Sequence, residues 1–85
     1  MSMLEKLVYE HFHIINFNLP KDKPFLDVDG LEADSLDLVE LSIIIENHYD
    51  ILIDNSDMDR LTSLDGIEAY LKEKNIDINY KSNSL

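Results

Sequence analysis

Leu31-Glu32-Ala33-Asp34-Ser35-Leu36-Asp37-Leu38-Val39-Glu40-Leu41 is the stretch that decides how this chain folds. A loop carrying acids and Gly30 gives way there to an apolar, acid-studded helix, with a serine between two aspartates at the junction. Asp34 suits the N-cap with Asp37 reaching back to it, an aspartate version of the capping box. Ser35 as the N-cap is the other reading, and the residues alone leave both open. In either, the Ser35 hydroxyl sits at a helix N-terminus facing solvent. An anion held there would meet unpaired backbone N–H groups and the positive end of the helix dipole.

Downstream, the helix runs from about Ser35 to Tyr49. Leu38, Leu41, Ile45 and Tyr49 make one stripe at helical spacing, the core face, while Leu36, Val39 and Ile43 make a second. The second stripe has two open readings. It is packed core, or it is an apolar patch near Ser35 offered to partners and rimmed by Glu40, Glu46 and Asn47. Leu36 is the one of the three expected to be most exposed.

Upstream, Leu4, Leu7, Val8, Phe12 and Ile15 recur at helical spacing and predict a first amphipathic helix from Ser2, its N-cap, to about Asn16. Pro20 ends any helix at Leu19. Residues 17–34 then form a long loop with both prolines, folded back on the bundle through Phe25, Leu26, Val28 and Leu31. After the central helix, Ile51-Leu52-Ile53 lacks a partner strand and reads as a buried connector. A short third helix is expected from Asn55 to about Leu61, capped by Asp54 or Asn55, with Met58 and Leu61 inward. Ser63 caps a fourth, from Leu64 to about Lys74, with Leu64, Ile67 and Leu71 along one face. Residues 1–75 form a single domain, and the polar tail 76–85 is expected to fray. The fold class is all-α: four helices, three main and a short third, with a long first loop.

Composition narrows the function. The 85 residues carry 18 Asp and Glu against 7 Lys and Arg, a formal charge of −11. Nucleic-acid binding, which needs a basic footprint, is disfavoured; basic protein partners are one reading of the charge, and a charged face kept for solubility is the other. A domain of this size buries roughly 60–65% of its unfolded surface and encloses little space for a catalytic cleft. There is no cysteine, so disulfides and thiolate chemistry are excluded. No run of about 18 apolar residues is present to span a membrane, and Met1-Ser2-Met3-Leu4-Glu5-Lys6 lacks the basic start and long apolar core expected of a signal peptide. A cytoplasmic monomer is expected. No metal site is expected: His11 and His13 face different sides of one helix, and neither acidic loop has the ligand spacing of an EF-hand. Ser35 lacks the surroundings of a hydrolase nucleophile, and His48 lies over three turns away. The chain is expected not to be an enzyme.

Asp34-Ser35-Leu36 with Asp37 and Val39-Glu40-Leu41 resembles the prosthetic-group attachment site of acyl carrier proteins. The resemblance continues through Glu46, Tyr49-Asp50-Ile51, Ile53-Asp54, Leu61-Thr62-Ser63-Leu64 and Ile67-Glu68-Ala69-Tyr70-Leu71, and the helix layout is the family's. It implies that Ser35 carries 4′-phosphopantetheine, transferred from coenzyme A by a phosphopantetheinyl transferase with magnesium, and that Asp34 helps place the metal during that reaction. The arm's thiol would hold an acyl group as a thioester. Leu36, Asp37, Glu40, Ile43, Glu46 and Asn47 would meet acyl-transferring, ligase or synthase enzymes through their basic patches. Leu38, Leu41, Ile45, Ile53, Leu61 and Ile67 would line a space for the acyl chain, ordinary packed core being the other reading. The implied setting is fatty-acid or polyketide and secondary-metabolite biosynthesis. The alternatives are an aminoacyl or peptidyl carrier, or an unmodified acidic adaptor for basic proteins. This chain departs from the family pattern at Glu32, where Gly is common, at Asn47-His48, where acids are common, and at Asp54, where Pro is familiar.

Overall fold

Helix capping sets the boundaries of nearly every element in the computed structural model, which describes residues 1–81. Helix α1 spans Met3–Phe12, α2 Ser35–Tyr49 and α3 Leu64–Glu73, with a 3₁₀ turn at Phe25–Asp27 and a 3₁₀ helix at Asn55–Leu61. The architecture is all-α, three main helices and a short one, with no strand among the described residues.

Ser2 caps α1 as expected. Its hydroxyl accepts the Glu5 N–H at 3.1 Å, and the Glu5 carboxylate accepts the Ser2 N–H at 3.2 Å. The other end differs from the prediction, for α1 stops at Phe12 rather than near Asn16. His13 adopts a left-handed conformation (φ 56°), donates to the Glu10 carbonyl, and lets the Ile14 N–H reach the Tyr9 carbonyl at 2.9 Å. This is a Schellman ending in which histidine stands where glycine is usual. It buries Ile14 and turns Ile15 out to solvent, contrary to the helical pattern. Asp50 (φ 56°) ends α2 and Asn75 (φ 60°) follows α3 in the same manner, with Ile51 and Ile76 as the returning apolar residues.

The core joins Leu4 and Val8 of α1, Leu41, Ile45 and Tyr49 of α2, and Leu64, Ile67, Tyr70 and Leu71 of α3. The long loop completes it through Phe25 and Val28, with Leu31 half-buried; Leu26, expected as a fourth anchor, is instead exposed. Two backbone bonds lace the loop to the far side of the bundle: Phe25 N–H to the Thr62 carbonyl at 2.7 Å, and Asp65 N–H to the Lys21 carbonyl at 2.9 Å.

Between α2 and α3, Ile51 and Ile53 are half-buried, but Leu52 points outward, so the connector is buried on alternate residues only. The third helix is 3₁₀, not α. Asp57 N–H donates to the Asp54 carbonyl, three residues back, and the Asp54 side chain accepts from Ser56 N–H. With only Met58 and Leu61 as apolar anchors, the segment lacks the stripe that would hold an α-helix. Gly66 in α3 is required by this packing, since a Cβ there would lie 2.4 Å from the Arg60 carbonyl oxygen.

Residues 76–81, expected to fray, are docked instead. Ile76 and Ile78 pack on the core, Tyr49 donates its hydroxyl to the Ile78 carbonyl at 2.5 Å, and Met3 N–H donates to Asn79 Oδ1 at 3.1 Å. Residues 82–85, the rest of the expected tail, lie outside the described residues.

Candidate functional site

The cap of α2 belongs to Asp34. Its Oδ1 accepts the Asp37 N–H at 3.0 Å, and Asp37 Oδ2 accepts the Asp34 N–H at 2.9 Å. Ser35 is therefore the first helical residue rather than the cap. It is exposed, and its hydroxyl makes no hydrogen bond among the described residues. The Ser35 and Leu36 N–H groups, in the first turn, have no intrahelical acceptor.

The approach to this serine is shaped by two left-handed residues, Gly30 (φ 86°) and Glu32 (φ 54°). Glu32 thus occupies a conformation that favours glycine, although the residue is glutamate. From the other side, His11 Nε2 donates to the Asp37 carbonyl at 2.9 Å and ties the last turn of α1 to the first turn of α2. Sequence reasoning missed this role. The available signal was the position of His11, seven residues after Leu4 and three after Val8, on the buried stripe of α1.

The second stripe on α2 is exposed rather than packed core. Leu36 is 63% exposed, Val39 46% and Ile43 49%. Glu40 and Asn47, both exposed, flank them along the same side of the helix, while Asp37 lies about 100° around the helix from Leu36 and is partly buried. Glu46 does not join them freely. It is partly buried, and its carboxylate accepts the Ile53 N–H at 2.7 Å, which holds the connector after α2. Leu41, Ile45, Leu61 and Ile67 are buried and share one core cluster with half-buried Leu38 and Ile53.

A serine so presented, on an acidic helix with an apolar stripe, is what a carrier domain needs and what an enclosed catalytic site is not. Comparison with known proteins agrees. Residues 18–71 match the family model described as the phosphopantetheine attachment site. The chain is 32% identical over 79 residues to the acyl carrier proteins of Rickettsia canadensis and Rickettsia typhi, covering 87% of this chain and 92% of theirs. With the acyl carrier protein of Bdellovibrio bacteriovorus it shares 38% identity over 47 residues, 55% of this chain and 60% of that one. The chain belongs to the acyl carrier protein family of phosphopantetheine-binding carriers. It is a non-catalytic carrier that presents acyl groups as thioesters on a phosphopantetheine arm. Among the described residues no helix is long and apolar enough to cross a membrane.

Proposed function

We propose that Ser35 is the attachment point of the 4′-phosphopantetheine and that this protein carries acyl intermediates of fatty-acid or polyketide biosynthesis in the cytoplasm. The observation that carries the reading is the Asp34–Asp37 cap, which satisfies the helix start without using the Ser35 hydroxyl. An anionic phosphodiester fits this point, because the Ser35 and Leu36 N–H groups and the dipole of a 15-residue helix face it.

During modification the Ser35 oxygen forms the new bond to phosphorus. Its proton leaves, and the nucleotide part of coenzyme A departs. Asp34 uses one carboxylate oxygen for the cap and has the other to help place magnesium within the transferase complex. When bound, the arm supplies the thiol that holds the acyl group. Leu36, Val39 and Ile43 form the apolar centre of the docking face, with Glu40 and Asn47 beside them and Asp37 at its edge for basic patches on the transferase and on acyl-transferring, ligase or synthase enzymes. Glu46 serves that face indirectly, by holding the connector. The cluster of Leu38, Leu41, Ile45, Ile53, Leu61 and Ile67 is the place between helices where a chain would shelter.

Labelling tests the assignment. A phosphopantetheinyl transferase supplied with a fluorescent coenzyme A derivative should label the native protein, and Ser35→Ala should stay dark at equal folded concentration. Labelling of Ser35→Ala would move the attachment point elsewhere.

A further inference from the structure

Residues 76–81 tie together the end of the bundle opposite Ser35, where α2 finishes at Tyr49. The chain leaves α3 through left-handed Asn75, and the Ile76 N–H returns to the Leu71 carbonyl at 2.9 Å. It then turns across the end of α2, the Tyr80 N–H reaching the Asp77 carbonyl at 2.9 Å. Tyr49 donates its hydroxyl to the Ile78 carbonyl at 2.5 Å, and His48 Nε2 donates to the Tyr80 carbonyl at 2.6 Å. The Tyr80 ring centre lies 6.3 Å from those of both His48 and Tyr49. The Asn79 side chain accepts the Met3 N–H, so the start of α1 is fastened as well.

This strap is the polar tie between α2 and α3. Among the described residues no hydrogen bond or ion pair joins the two helices directly. They share an apolar cluster instead, with Leu41 and Ile45 on one side and Ile67 and Leu71 on the other. Apolar contact has no direction to lose, so the helices can part near Ser35 without breaking a hydrogen bond. At Tyr49 the same movement breaks two bonds and uncovers Ile76 and Ile78, both packed on the core. Tyr49 is the last and largest member of the stripe Leu38, Leu41, Ile45 and Tyr49. Its ring is buried, and swinging it aside would strand the hydroxyl away from its acceptor.

We propose that Tyr49, pinned by this strap, is the floor of the acyl shelter and restricts the protein to sheltering acyl groups of short and medium length. The inference rests on the reading that the chain enters between α2 and α3 from Ser35. Between Leu38 and Ile45, the last stripe position above Tyr49, the helical rise gives about 10 Å of core face. An extended palmitoyl chain is much longer. Beyond Ile45 a chain meets a ring held from below, and its remaining carbons stay in water. Each methylene that does enter adds to stability by burial, so stability reports the depth reached.

A chain-length series on the full protein tests the floor. A phosphopantetheinyl transferase supplied with acyl-coenzyme A derivatives, acetyl through palmitoyl, loads the native chain and its variants. Intact mass reads one acyl-phosphopantetheine on each; a folded chain that takes none overturns the Ser35 reading, and the floor with it. The rise in Tm over the acetyl form is then followed with length. In the native protein it should grow and level off well before palmitoyl. Tyr49→Leu should move the levelling-off to a longer chain and leave short chains unaffected, each variant being compared with its own acetyl form. Ile78→Ala, which loosens the strap without altering α2, should move it the same way and decides the matter if Tyr49→Leu does not fold. A rise that continues through palmitoyl in the native protein, no rise at any length, or a levelling-off left in place by the folded variants overturns the proposal.

Discussion

Asp34 and Asp37 cap α2 reciprocally, each carboxylate accepting the other residue's backbone N–H at about 3 Å. That exchange frees the intervening serine. Replacing Asp34 with Ala removes the acceptor for Asp37 N–H and should lower stability by about 1 kcal/mol. A urea midpoint shifted down at constant m-value is the expected result. No shift would mean that the cap contributes nothing to the fold.

Left-handed residues on either side of α2 offer the opposite change. Glu32 (φ 54°) and Asp50 (φ 56°) hold a conformation that glycine adopts without a steric penalty. Asp50 also sets a negative charge at the C-terminal end of α2, where the dipole disfavours it. Glu32→Gly and Asp50→Gly should each stabilise by about 0.5–1 kcal/mol, the steric relief exceeding the extra chain entropy. Thermal unfolding of the two variants and their double mutant checks both sign and additivity.

Gly66 is required for the opposite reason, a lack of space. The Cβ of Gly66→Ala would meet the Arg60 carbonyl, forcing the 3₁₀ helix away from α3. A loss of about 1–3 kcal/mol is expected, read as a lower denaturant midpoint.

Alkaline pH should loosen the C-terminal segment. Burial, with Asp77 adding to it, pushes the Tyr49 phenol from 10.0 up to about 12. A raised pKa means stability that is complete below the unfolded value and lost as pH rises through the folded one. For Tyr49 that window runs from 10.0 to about 12, and the loss is on the order of 2 kcal/mol. Tyr49→Phe should flatten the decline of stability with pH, at the cost of its bond to the Ile78 carbonyl. Part of the decline will persist through Tyr70, raised by burial and by its bond to Asp57. An unchanged alkaline profile in Tyr49→Phe would sink this assignment.

Docking should depend on the exposed stripe and leave the fold indifferent to it. Leu36→Ala and Glu40→Lys are expected to weaken use by a phosphopantetheinyl transferase by about 1–2 kcal/mol each, with unchanged Tm. Steady-state kinetics with the carrier as varied substrate reads the effect as lower kcat/KM.

Much of this was legible in the residues. The limits of α2, its core stripe and the position of Ser35 follow from capping chemistry and helical period, which act within a few residues. The misses have a common origin in longer-range packing. The periodicity running through Phe12 to Ile15 carried α1 too far, because a left-handed His13 in place of glycine sent no stop signal. Asn55–Leu61 closed as 3₁₀ because its two apolar anchors pack on α3 and α2, not along a helical stripe. The tail looked polar because Ile76 and Ile78 alternate with polar residues, and only the docked partners Tyr49 and Met3 reveal their use. The bond from His11 to α2 depends on how the two helices pack, which no local pattern encodes.

Intact mass after incubation with a broad-specificity phosphopantetheinyl transferase, coenzyme A and magnesium tests the central claim most directly. The expected spectrum shows one phosphopantetheine added to the native chain and none to Ser35→Ala. A native protein that stays folded yet gains no mass with several such transferases would contradict it.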